Sequence, residues 1–305
     1  MPYDPTDPRS GLATATATAA PGGSRAATYR QFHQTPADEH HDGGGATWWT
    51  RSQALVVAYT EAHPGDRLER TGQIDEYVLI VPNDGTTVTV SHGSQTATVT
   101  EPAVVVIPPG DSTVAVTAGG VVTRVFAATD RALTARCANE ADYTVADGNV
   151  AAFVPWPDPP EGHEIRVYPM AAIPNEPGRF GRIFRCSTVM VNLLTRGDGA
   201  RDPRKLSPHH HADFEQISLQ IEGDYVHHMR TAWTPDSTLW RDDQHQACAS
   251  PAVVVIPPPL VHTSQGVGDM THWLIDLFAP PRFDFSEKPG WVLNADEYPM
   301  PSTPS

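Results

Sequence analysis

Cysteine is scarce in this chain: Cys137, Cys186 and Cys248 are the only three among 305 residues, too scattered for a disulfide framework. Long apolar runs are missing too. The longest, Ala103–Ile107 and Ala252–Ile256, are rich in valine and read as buried strands. Nothing approaches the roughly 20 apolar residues that a membrane span needs. The opening residues carry Asp4 and Asp7 and lack the apolar segment of a secretory signal, so a reduced, cytoplasmic setting is expected. There is no Lys/Arg cluster, and 21 basic side chains face 36 acidic ones, for a net charge of −15. That balance disfavours nucleic acid and anionic lipid as partners. Long helices are not evident. By contrast, 30 prolines and 23 glycines suit many short strands joined by turns. An all-β chain is predicted, long enough for two domains.

An internal repeat organises the chain. Pro102–Pro109 reads PAVVVIPP, and so does Pro251–Pro258. Agreement at all eight positions implies two copies of one fold unit. Residues 1–45, with a low-complexity stretch at Ala13–Ala20, read as a flexible tail. A first domain is expected over 46–130 and a proline-rich linker over 131–165. A second domain follows over 166–283, and residues 284–305 are expected to wrap back over it.

The most informative passage is Ser207–Glu215. Beyond it Glu215, Ile217, Leu219 and Ile221 alternate with Gln216, Ser218, Gln220 and Glu222. That period of two predicts a half-buried strand with Glu215 on its apolar, inward face. A carboxylate there is costly unless a cation compensates it. His209 and His211, two apart, share a face while His210 points away. Two imidazoles and a carboxylate suit Fe(II), Mn, Ni, Co or Zn rather than Ca or Mg. His262, after the Pro257–Pro259 turn, is a candidate fourth ligand.

On these residues the chain resembles the cupin family. The first cupin motif, an H-x-H pair, three residues, a Glu, about six residues and a Gly, is matched by His209, His211, Glu215 and Gly223, with seven residues in the last gap. The second, P-x-G-x-x-H, is matched by Pro257, by Pro259 in place of Gly, and by His262. The resemblance covers both halves and implies two jelly-roll-like β-barrels in tandem, with one divalent transition metal inside the second. In the first half Glu76 stands at the motif's Glu, but Arg70 and Gly72 stand at its histidines and Thr113 stands where His262 does. That barrel is expected to hold no metal. Its role is structural, or that of a metal-free binding pocket.

Beside the motif, Asp224–Arg230 alternates Tyr225, His227 and Met229 with Val226, His228 and Arg230. Either set can face the barrel. His227 or His228 is therefore a candidate proton carrier, with Arg230 a candidate for an anionic substrate group and Tyr225 a pocket residue. Three His and one Glu leave coordination positions open, as a catalytic site requires. The resemblance implies a metal-dependent enzyme acting on a small polar metabolite. Isomerisation of a sugar or sugar acid comes first, since the architecture looks like that of the uronate and deoxyglucuronate isomerases. An Fe(II)-dependent dioxygenase is the alternative, and a non-catalytic ligand-binding cupin the third reading. A homodimer is expected from the long terminal segments.

Overall fold

The structure, a computed structural model, describes residues 23–302; the Ala13–Ala20 stretch, Asp4 and Asp7 lie outside them. Strands dominate, and the two α-helices, Arg131–Thr134 and Phe283–Ser286, are single turns. Each half folds as two facing antiparallel sheets. In the first half a seven-stranded sheet, centred on Leu55–Ala62, Tyr77–Val81, Ala103–Ile107 and Gly120–Ala127, faces a four-stranded one. In the second half a seven-stranded sheet, centred on Met190–Leu193, Gln216–Glu222, Ala252–Ile256 and Thr271–Phe278, faces the three strands Asp224–Arg230, Gln244–Cys248 and Val261–Val267.

The repeated PAVVVIPP segment is the same strand in each half. Ala103–Ile107 pairs with Tyr77–Val81, so that Tyr77 lies opposite Ile107. Ala252–Ile256 pairs with Gln216–Gln220, so that Gln216 lies opposite Ile256. Tyr77 and Gln216 are thus equivalent, and so are the residues before them, Glu76 and Glu215.

The two large sheets pack on each other. Val78, Ile80, Val104 and Val106 of the first half share one core with Ile217, Leu219, Val253, Val255, Ile275 and Leu277 of the second. Both faces of these sheets are therefore buried, one against the other domain and one inside its own barrel. The domains also exchange strands. Thr28–Gln31, in the segment expected to be a flexible tail, pairs with Ala252–Ile256 of the second domain. Arg166–Pro169, at the expected start of the second domain, pairs with Ala103–Ile107 of the first. Glu39 and His40 also pair with the first domain, so the ordered chain begins well before residue 46.

A candidate metal centre in the second barrel

Three histidines converge inside the second barrel. His209, His211 and His262 each offer a ring nitrogen, and those nitrogens lie within 4.8 Å of one another. The backbone places them. His209 and His262 form an antiparallel bridge, His209 N–H donating to His262 O at 3.0 Å and His262 N–H to His209 O at 2.7 Å. His209 Nδ1 is 3.0 Å from its own loop's Ser207 carbonyl, and His262 Nδ1 is 3.0 Å from the Leu260 carbonyl. A carbonyl only accepts, so Nδ1 carries the hydrogen in both rings and the lone pair sits on Nε2. That is the usual way a metal-binding imidazole is oriented.

His211 is held differently. Arg282 Nη1 donates to its Nδ1 at 3.2 Å, and its Nε2 lies 2.8 Å from Gln216 Oε1. Burial, then the nearby charges of Arg282, His209 and His262, push its pKa well below the ordinary imidazole value. It is neutral, as a ligand must be, but Nε2 can bind a metal only after releasing Gln216 and passing its hydrogen to Nδ1, which Arg282 must then vacate. With that adjustment the three imidazoles fit a borderline first-row divalent ion.

Glu215 does not join them. Ile217 and Leu219 face the other domain, and the Glu215 carboxylate goes with that side. It accepts from the Gln53 backbone N–H and, at 3.2 Å, from Tyr143 Oη, both in the first half of the chain. Burial raises its pKa against these hydrogen bonds. Glu76 mirrors it: its carboxylate accepts from Ser187 Oγ at 2.8 Å and Tyr298 Oη at 3.0 Å across the same interface. The two glutamates clasp the domains together.

Gln216, Ser218 and Gln220 point into the barrel instead. Gln216 and Gly223 have six residues between them, the number the cupin motif asks for, so Gln216 stands where the motif places its carboxylate. A carboxylate lies directly behind it. Asp276 Oδ1 accepts from Gln216 Nε2 at 3.0 Å and from Ser218 Oγ at 2.8 Å. Neither Gln216 nor Asp276 was legible as a site residue from alternation alone. The six-residue gap to Gly223 was the available signal for the first.

On the neighbouring strand Tyr225, His227 and Met229 are buried, and His228 and Arg230 lie outside. His227 is fixed by Gln220 Oε1, 2.7 Å from Nε2, and by Ser264 Oγ, 2.9 Å from Nδ1. Burial, with His262 and His228 nearby, pulls its pKa down to about 3. His227 therefore stays neutral, braced as a wall of the barrel. Tyr225 stacks on it at 5.9 Å between ring centroids. His228 meets His245 on the outer surface, 2.7 Å apart between Nδ1 atoms. Arg230 pairs with Asp243 in solvent, with 68% of its side chain exposed. Together with His245 and His262, His228 and Arg230 line a second cavity, of about 140 Å³.

A cleft of about 300 Å³ opens beside His211, lined by Phe214, Arg282, Phe283, Asp284 and residues 150–152. Arg282 stacks over Phe214 with 3.8 Å from Cζ to the ring centroid, and its Nε donates to Asp284 at 2.8 Å.

Solved structures share this fold. It is similar to the oxalate decarboxylase–formate complex of Lactobacillus farciminis, with a TM-score of 0.57 and 15% identity over 85% of this chain and 88% of that one. It is also similar to Bacillus subtilis oxalate decarboxylase, in the structure of a mutant altered over four residues, with a TM-score of 0.56 and 14% identity over 92% and 85%. The fold is that of a tandem cupin. No family model and no curated protein matches the sequence. These matches lend nothing to the likeness with uronate isomerases. Among the described residues the His209–His211–His262 group is the one cluster of three or more His, Cys, Asp or Glu that could hold a metal ion, and it lies in the second cupin barrel.

Proposed function

We propose that this tandem cupin is a metal-dependent enzyme that cleaves or oxidises a small, oxygen-rich carboxylic acid, with its single metal centre in the second barrel. The observation that carries the reading is the convergence of three imidazoles in a polar barrel interior that a cleft reaches. When bound, an Fe, Mn, Ni, Co or Zn ion supplies Lewis acidity to two oxygens of a chelating acid, and iron or manganese supplies one-electron chemistry as well.

The chain's own residues do the rest. His209 and His262, fixed through Nδ1, present Nε2 to the ion. Arg282, ion-paired with Asp284 at the cleft, holds His211 through Nδ1. Asp276, reached through Gln216, is a carboxylate behind the three imidazoles and a base able to take a proton released at the centre. His227 and Tyr225 close the far wall. The similarity to oxalate decarboxylases supports bond cleavage or oxidation over isomerisation, and the reading does not depend on Arg230 or His228.

The test is a panel assay of protein loaded with each ion. Two- to five-carbon dicarboxylic and 2-oxo acids are screened for carbon dioxide release and oxygen uptake, and uronates are screened for isomerisation by NMR. Turnover of an acid, abolished in His262→Ala, is the expected result. Uronate isomerisation without acid turnover would restore the isomerase reading. No turnover of any substrate would leave a binding module.

A further inference from the structure

The first barrel lacks the metal ligands, yet its interior carries a cation. Leu79 lies opposite Arg124 in the first domain, and Ser218 lies opposite Asp276 in the second. Since Tyr77 and Gln216 are equivalent, so are Leu79 and Ser218, and Arg124 occupies the position of Asp276. One barrel holds a buried acid there and the other a buried base.

Arg124 is 2% exposed. Its guanidinium Cζ lies 5.3 Å from the Trp49 ring centroid and 5.9 Å from that of Phe126. No ion pair or hydrogen bond to it occurs among the described residues, and its Nε is buried without an acceptor. Gln73 Nε2 is likewise buried without an acceptor. Glu39 lends Arg124 some Coulombic support. Its carboxylate, however, is engaged by Trp49 Nε1 at 3.0 Å and Arg136 Nη1 at 3.1 Å. Burial lowers the Arg124 pKa to about 10, which leaves it charged at neutral pH.

A second guanidinium lies nearby. Arg70, at the position the cupin motif gives to a histidine, has Cζ 5.7 Å from the same Phe126 ring. It is braced by Asp130 at 2.8 Å and by Gln73 Oε1 at 2.9 Å. Tyr77 stacks on Phe126 at 4.7 Å and reaches Ser112 Oγ at 3.0 Å. Ser112 is the buried residue at this point, and Thr113 beside it is only half-buried.

Burying a charge is costly unless a counter-charge and hydrogen bonds compensate it. Ring faces satisfy a guanidinium from above and below but leave its in-plane N–H groups wanting acceptors. We propose that the first barrel is an anion site in which Arg124, backed by Arg70 and the Gln73 amide, binds a small monocarboxylate. A planar carboxylate matches the in-plane fork of a guanidinium, whereas a spherical halide does not. The two barrels thus neutralise opposite needs: one calls for a metal cation and the other for an organic anion.

The test uses full-length His262→Ala protein, which removes the second-barrel centre from the readout. Sodium formate and sodium acetate are titrated at constant ionic strength while tryptophan emission and Tm are followed, with sodium chloride as the control. Saturable binding in the millimolar range, weakened at least about tenfold in Arg124→Gln and lost as a fluorescence signal in Trp49→Phe, is expected. Arg70→Gln should weaken it several-fold, which tests the site even if Arg124→Gln fails to fold. No saturable response to either carboxylate would overturn the proposal. So would binding unchanged in both arginine variants, or chloride binding as tightly as formate.

Discussion

At the scale of single residues, the second barrel turns on Gln216. It holds His211 Nε2 at 2.8 Å and Asp276 Oδ1 at 3.0 Å, so a carboxylate in its place would change two interactions at once. In Gln216→Glu a charged ligand faces the metal position, and two carboxylates repel each other when no metal is bound. The variant should bind Mn or Zn at least about tenfold more tightly by competition with a chelator. Its metal-free Tm should fall below that of the wild type, while the metal-loaded Tm rises. His227 offers a pH test. Its folded pKa is depressed to about 3, so the unfolded chain takes up a proton near pH 6.5 that the folded chain refuses. Stability from this residue is complete above pH 6.5 and is lost as pH falls toward 3. The loss is about 2 kcal/mol between pH 7 and pH 5. Denaturation of metal-free His227→Gln at those two pH values should show a smaller difference than the wild type by roughly that amount.

At the scale of elements, the exchanged strands explain what a linear reading missed. Thr28–Gln31 pairs with residues 252–255, and Tyr29 packs on the Met229, Val254, Ile256 and Leu260 cluster behind it. Its four residues, Thr, Tyr, Arg and Gln, are too few beside low-complexity text to stand out as a strand; the sheet edge it covers supplies the reason it is ordered. Removing residues 23–31 should uncover that edge while sparing Phe32, which stacks on Tyr59 in the first domain. Amides of Val253 and Val255 should then exchange with solvent much faster, and the truncated protein should associate. Unchanged protection at those amides would mean the strand is decoration.

At the scale of the whole molecule, the repeated PAVVVIPP, the all-β class and the three clustered histidines were legible in the sequence. Each rests on residue types and spacings that do not depend on which face of a strand turns inward. The face of the Gln216–Glu222 strand was not. Alternation shows which residues share a face, but inward was taken to mean apolar. In a tandem cupin the apolar face, Ile217 and Leu219, is the one turned toward the other domain, and the polar face lines the barrel. Glu215 followed the apolar residues to the interface, where Gln53 and Tyr143 meet it. The same logic separates His227 from His228. Both were open candidates, and only the pairing of Asp224–Arg230 with Val261–Val267 fixes which one is buried.

The most direct measurement is metal content per chain for the wild type, His262→Ala and Glu215→Gln. About one first-row divalent ion in the wild type is predicted, lost in His262→Ala and kept in Glu215→Gln. The latter should instead lose about 1–3 kcal/mol of stability, as its interface hydrogen bonds weaken. A folded Glu215→Gln protein that loses its metal as fully as His262→Ala, or a wild type that takes up none of these ions, would contradict the three-histidine centre described here.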